Sequence, residues 1–185
     1  MAIITGTDFD DSDPGSFLPR PPDFPSSRPA LRGTSESDII DGRDGNDLLF
    51  GEDGNDVLNG GNGDDTLSGG AGNNLLQGNS GDDLLQGFEG KNDMRGGTGN
   101  DAYIVGDPGD SVTEFADEGH DIVIARIDFT LPANVEDLIL DVGRGNFFGT
   151  GNNLNNLIKG DVSNDVLSGG AGNDTLDGGE GREVF

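Results

Sequence analysis

From Gly33 onward the chain places an apolar residue at every ninth position and a glycine seven positions before it, a fixed period that argues for a stacked repeat. Cut in this register, residues 33–104 give eight units: GTSESDIID, GRDGNDLLF, GEDGNDVLN, GGNGDDTLS, GGAGNNLLQ, GNSGDDLLQ, GFEGKNDMR and GGTGNDAYI. Residues 151–185 give GNNLNNLIK, GDVSNDVLS, GGAGNDTLD and the eight-residue stub GGEGREVF. Position one is glycine in all twelve units. Position eight is apolar in all twelve: Ile40, Leu49, Leu58, Leu67, Leu76, Leu85, Met94 and Tyr103, then Ile158, Leu167, Leu176 and Phe185. Position four is glycine in nine units, and position six is Asp in eight, Asn in three and Glu in one.

Each unit reads as a six-residue turn followed by a three-residue strand, with glycine permitting positive φ and close backbone approach in the turn and the eighth residue pointing inward. One unit then makes half a coil, and 18 residues return the chain to its starting side. Successive coils stack at the roughly 4.8 Å spacing of paired strands. The interior is a narrow ladder of Leu and Ile, too thin to offset an ordering entropy of roughly 1–2 kcal/mol per residue for backbone alone. Stacked aspartates add mutual repulsion. A divalent cation between adjacent turns would supply the missing energy and cancel that repulsion.

Two stretches leave the register. Residues 1–32 hold six of the eight prolines and are expected to form an extended arm that carries no essential site, because Pro fixes φ and lacks a donor. Residues 105–150 contain SVTEF, DIVIARIDFTL and VEDLIL, which read as short strands with Pro108 and Pro132 in turns. This segment is expected to continue the solenoid with wider coils and to bury Ile122, Ile124, Leu131, Val135, Leu138 and Leu140. The chain thus divides into an arm (1–32), a first repeat block (33–104), an irregular β segment (105–150) and a second block (151–185).

Composition narrows the chemistry. With 36 acidic and 10 basic side chains the net charge is −26, which repels phosphate backbones and anionic headgroups and favours cations. No cysteine and a single histidine leave no thiolate or imidazole metal site, so only hard, all-oxygen coordination stays open. His120 reads as a solvated turn residue. MAIITGTDFD is no Sec-type signal peptide, and no stretch is long and apolar enough for a membrane span.

The units resemble the G-G-x-G-x-D-x-U-x nonapeptide repeats of RTX proteins, which form a calcium-binding parallel β-roll, and residues 105–150 are similar to the longer segments interleaved with nonads in that family. The resemblance covers 107 of 185 residues. It implies an all-β, right-handed parallel β-roll with several Ca²⁺ ions between successive turns. The ligands it implies are the position-six carboxylates Asp38, Asp47, Asp56, Asp65, Asp83, Asp101, Asp165 and Asp174. Backbone carbonyls around positions two and four complete the set, at Gly61, Gly70, Gly97 and Gly170 and at Gly45, Gly54, Gly63, Gly72, Gly81, Gly99 and Gly172. An all-oxygen set suits Ca²⁺, whereas Mg²⁺ prefers a smaller octahedron. No EF-hand loop, phosphate-binding loop or zinc or nucleophile motif is present.

Two functional readings follow. One is a non-catalytic, calcium-dependent module, exported by a type I-like route and folded outside the cell, whose further partner is a glycan, a cell surface or another protein, and not nucleic acid. The other is the tail of a larger secreted protease, lipase or polysaccharide-modifying enzyme, against which Met1 is expected to speak. The end at GREVF, inside a degenerate nonad, is unlike the C-terminal export segment that the resemblance implies. Within the first block the position-six residues form two columns, Asp38, Asp56, Asn74, Asn92 and Asp47, Asp65, Asp83, Asp101, and the first is expected to bind calcium less well where Asn replaces Asp, unless Asp93 substitutes as a ligand.

Overall fold

A computed structural model describes residues 1–6, 30–141, 145–182 and 184, and all regular structure among them is β-strand. The chain winds into a parallel β-roll. One sheet stacks Ile3–Thr5, Ile39–Asp44, Val57–Asn62, Leu75–Ser80, Asp93–Thr98 and Ser111–Val112. The opposite sheet has nine strands: Leu31–Arg32, Leu48–Phe50, Thr66–Ala71, Leu84–Glu89, Ala102–Val105, Ile122–Ala125, Asp137–Leu140, Leu157–Lys159 and Thr175–Asp177. A third, of three strands, pairs Phe129–Thr130, Phe148–Thr150 and Val166–Ser168.

The register is i to i+18 throughout the first block, as in Ile40↔Leu58↔Leu76↔Met94 on one side and Leu49↔Leu67↔Leu85↔Tyr103 on the other. All eight of these side chains are fully buried. Burying each contributes about 1.5–3 kcal/mol.

The strands are longer than three residues. Val57–Asn62, for example, runs on from positions seven to nine into positions one to three of the next unit. In the coils that carry glycine at position four, pairing resumes across the corner as position two adopts left-handed backbone: Arg43 (φ 83°), Glu52 (70°), Asn79 (81°) and Phe88 (67°) do so beside Gly61, Gly70 and Gly97, whereas Thr34, Asn152 and Asp161, in units without that glycine, do not. Position four lies further out, with φ of 118° at Gly45, 136° at Gly54, 122° at Gly63 and 130° at Gly81. Side chains tolerate the first region at some cost and scarcely enter the second. Hence position four is kept as glycine where position two varies.

The segment set apart as an arm begins and ends inside the roll. Ile3–Thr5 pairs with Ile39–Asp41, and Leu31–Arg32 pairs with Leu49–Phe50, so Ile4 and Leu31 pack against the two apolar ladders. Most of the expected arm, residues 7–29, lies outside the described residues. In the irregular segment Leu131, Val135, Leu138 and Leu140 are buried, but Ile122 and Ile124 are only half-buried, and Val123 and Ala125 point inward instead. The reason is register: Tyr103 pairs with Val123, so Val123 inherits position eight. Coil length here departs from 18 residues in both directions, with Asp101 above Asp121 across 20 and Val123 above Leu138 across 15.

Candidate metal sites

Position six lies one pleat repeat before position eight and therefore also points inward. Asp38, Asp47, Asp56, Asp65, Asp83, Asp101 and Asp165 are each no more than 2% exposed, and Asp174, in the last complete unit, is half-buried. The two oxygens of a carboxylate differ in what they face. Oδ1 accepts a backbone N–H from the coil before: Asp38 donates to Asp56 at 2.7 Å, Asp47 to Asp65 at 2.7 Å, Asp65 to Asp83 at 2.7 Å and Asp83 to Asp101 at 2.8 Å. Oδ2 of Asp56, Asp83, Asp101 and Asp121 is buried and has no hydrogen-bond partner among the described residues. Burying an uncompensated charge is expensive, so these oxygens require either a proton or a cation.

The backbone packs closely around them. At Gly51 a Cβ would lie 2.4 Å from Gly69 O and 2.5 Å from Asp56 Oδ2, and at Gly78 it would lie 2.2 Å from Asp83 Oδ2 and 2.8 Å from Gly96 O. Position one is glycine because a side chain there would collide with the position-six carboxylate and with a carbonyl oxygen of the adjoining coil. The position-two and position-four glycines rest against carbonyl oxygens of the preceding coil. A Cβ would come within 1.7 Å of Arg43 O at Gly61 and of Gly54 O at Gly72, 1.9 Å of Glu52 O at Gly70, and 2.3 Å of Asn79 O at Gly97 and of Gly45 O at Gly63. The same stacking holds at Gly54, Gly81, Gly99, Gly170 and Gly172. Carboxylate and carbonyl oxygens in a glycine-lined cradle, with no nitrogen or sulfur donor, fit a hard cation of calcium's size.

The electrostatics point the same way. Burial, helped by the charges of Asp101 and Asp65, pushes the Asp83 carboxyl up to about 8. Burial likewise raises Asp101 and Asp121 to about 6, and it raises Asp56. Asp38 moves the other way, because the Ala2 N–H donates to it at 2.5 Å and Thr34 satisfies its Oδ2 through N–H at 2.6 Å and the hydroxyl at 2.8 Å.

The asparagines are different in kind. Asn74 Oδ1 accepts the Asp56 N–H at 2.8 Å, and Asn92 Oδ1 accepts the Asn74 N–H at 3.1 Å. Only an oxygen can do this, so the Nδ2 groups must take the place of Oδ2: Nδ2 of Asn74 is the atom a Cβ on Gly69 would meet, at 2.7 Å, and Nδ2 of Asn92 the one on Gly87, at 2.5 Å. These amides donate onward, Asn74 to Asn92 Oδ1 at 3.1 Å and Asn92 to Asp110 Oδ1 at 2.9 Å. A donor therefore faces the cradle, and the oxygen expected of Asn as a ligand is already in use. Asp93 does not substitute, since it sits on the outer face paired with Arg95 at 2.5 Å.

Of the carboxylates named from sequence, Asp47, Asp65, Asp83 and Asp101 share one column, and Asp38 and Asp56 the other. Asp165 and Asp174 belong to different columns: Asp165 Oδ1 accepts the Phe147 N–H at 2.9 Å, while Asp174 Oδ1 accepts the Asn156 N–H at 3.0 Å. Asp110 and Asp121 extend the two long columns, accepting from Asn92 at 3.0 Å and Asp101 at 2.9 Å; Asp110 keeps the 18-residue period but was missed because Val105 replaces the position-one glycine of its unit, and Asp121 because its coil runs to 20 residues. A signal for Asp121 does exist, in Gly119-x-Asp121-x-Val123, which keeps positions four, six and eight. His120 is exposed in the same turn, with Nε2 3.1 Å from Asp137 Oδ2.

The family model for the RTX calcium-binding nonapeptide repeat (4 copies) matches residues 32–67, 68–103 and 150–182, more than half of the chain. No curated protein matches it at a significant level.

Proposed function

Because the chain belongs to the RTX calcium-binding nonapeptide repeat family, we propose that it is a module whose roll is completed by Ca²⁺ held along the position-six columns, chiefly at Asp47, Asp65, Asp83 and Asp101 with the carbonyls of the adjoining turns. The observation that carries this reading is the run of buried Oδ2 atoms at Asp56, Asp83, Asp101 and Asp121 that have no hydrogen-bond partner among the described residues, packed against glycines and carbonyl oxygens of the adjoining turns. A bound Ca²⁺ supplies the positive charge that the interior lacks. The chain's own part is to hold each carboxylate through Oδ1, aim Oδ2 inward and exclude water with the ladder above it.

Such a chain is unfolded where calcium is scarce and folded where it is millimolar, which suits export before folding and a non-catalytic, extracellular role. Candidate further partners are a glycan, a cell surface or another protein. Circular dichroism of the full chain tests the folding step: β-structure should appear cooperatively between about 10⁻⁴ and 10⁻³ M Ca²⁺, the range of extracellular modules, and vanish on chelation. A spectrum indifferent to chelator would overturn it.

A further inference from the structure

Position one points inward and is glycine in every nonad, yet in the coil after Gly96 the equivalent place, 18 residues on, is held by Glu114. Its side chain is 5% exposed. There it meets the end of the long column: ligand oxygens of Asp101, Glu114 and Asp121 all lie within 4.8 Å of one another. Asp101 and Asp121 are no more than 1% exposed. Each of the three acids keeps one buried oxygen without a hydrogen-bond partner, Oδ2 of Asp101 and Asp121 and Oε2 of Glu114.

The other oxygen of Glu114 is fixed from the far side. Tyr103 stands at position eight, where other coils have Leu, and its hydroxyl donates to Glu114 Oε1 while accepting the Gly96 N–H at 2.5 Å. Tyr103 thus holds the carboxylate by Oε1 and leaves Oε2 available beside the two aspartates. A glutamate recruited only to satisfy the tyrosine would have no need to bring its second oxygen against two buried acids.

We propose that Asp101, Glu114 and Asp121 form a three-carboxylate calcium site, distinct from the two-aspartate nonad sites, that closes the first repeat block and takes up its ion at lower concentration than they do. The inference rests on the calcium reading of the repeats but adds to it a ligand, Glu114, that the nonad pattern does not contain. Ligand charge count is a main determinant of calcium affinity, so the extra carboxylate makes this the first site to fill and the junction at residues 96–121 the first to order.

The chain supplies its own reporter, since Tyr103 is the only tyrosine and there is no tryptophan. Terbium(III), a luminescent stand-in for Ca²⁺, is titrated into the full chain with excitation in the tyrosine band. Sensitised emission should rise in an early, tight phase that Ca²⁺ displaces, before most of the change in circular dichroism. Glu114→Gln keeps an acceptor for the tyrosine hydroxyl and offers an amide to Asp101 and Asp121, so the fold survives. It should weaken the tight phase about tenfold or more and leave the later folding transition in place. Tyr103→Phe should abolish the emission and, by releasing Glu114 Oε1, weaken the tight calcium that calorimetry detects. A tight phase moved less than twofold by Glu114→Gln, or emission that rises only with the bulk of folding, would refute the three-carboxylate site and leave the repeats' calcium dependence standing. Absence of any calcium-driven folding would refute the underlying reading instead.

Discussion

Replacing Asp83 by Asn separates the two tasks of a position-six carboxylate. Oδ1 accepts the Asp65 N–H at 2.7 Å, and Asn must keep its oxygen there, as Asn74 does under Asp56. The amide then occupies the place of Oδ2, 2.2 Å from where a Cβ on Gly78 would sit, and turns a donor toward the cradle. Removing one charge from a buried, compensated cluster costs about 3 kcal/mol at the low end. The column Asp47, Asp65, Asp83, Asp101 contains three gaps between successive carboxylates. If folding is coupled to filling these, the loss spread over three ions raises the calcium midpoint about fivefold. The metal-free chain should move in the opposite sense, because an unpaired buried oxygen has been replaced by an amide that can donate to Asp101. Asn74→Asp is the reciprocal change and should lower the midpoint about twofold, whereas Asn92→Ala, which removes no ligand but strands the buried Asn74 N–H, should raise it through the fold. The assay is calcium titration followed by circular dichroism, with urea denaturation in chelator for the metal-free state. A midpoint for Asp83→Asn within twofold of the parent, or one raised by Asn74→Asp, would refute the reasoning.

Three further outcomes are expected. In chelator, the carboxyls of Asp83, pushed up to about 8, and of Asp101 and Asp121, pushed up to about 6, bind more protons in the folded than in the unfolded state. The stability they contribute is therefore complete below their unfolded values near 4 and lost as pH rises through about 6 to 8; metal-free chain should compact on acidification, the calcium midpoint should rise over the same window, and a pH-independent midpoint would contradict this. Gly72→Ala combines a φ of 119° with a Cβ 1.7 Å from Gly54 O, and should destabilise the calcium-loaded fold by about 3 kcal/mol or more in a denaturant melt. Deleting residues 1–32 uncovers Ile40 and Leu49, on which Ile4 and Leu31 stack, and should raise the calcium midpoint measurably; an unmoved midpoint would show that the first half-coil contributes nothing.

Much of this architecture could be read from one residue in nine. A strict spacing of position eight places Ile40 over Leu58 and Leu49 over Leu67, and once those pair the inward direction of Asp56 and Asp65 follows from the pleat. What could not be read this way depends on departures from period or on orientation. The irregular segment looked like alternating strands in which Ile122 and Ile124 are the natural core residues, but Tyr103 sets the register and brings Val123 inside. Asp110 and Asp121 are ordinary position-six residues, the first hidden by Val105 in place of its unit's leading glycine and the second by a 20-residue coil. Asn74 and Asn92 looked like weakened ligands, and only the hydrogen bond that fixes Oδ1 shows that their nitrogens face the cradle. Glu114 was invisible for a related reason: the inward direction of position one has no sequence signature while it is glycine.

The account stands most directly on where ions lie in a crystal of the full chain grown in low-millimolar calcium, located by anomalous scattering. It predicts density beside Oδ2 of Asp65, Asp83, Asp101 and Asp121 along one side of the roll, and none between Asn74 and Asn92 on the other. Equal occupancy along both columns, or a folded roll with no ion beside Asp83, would contradict it.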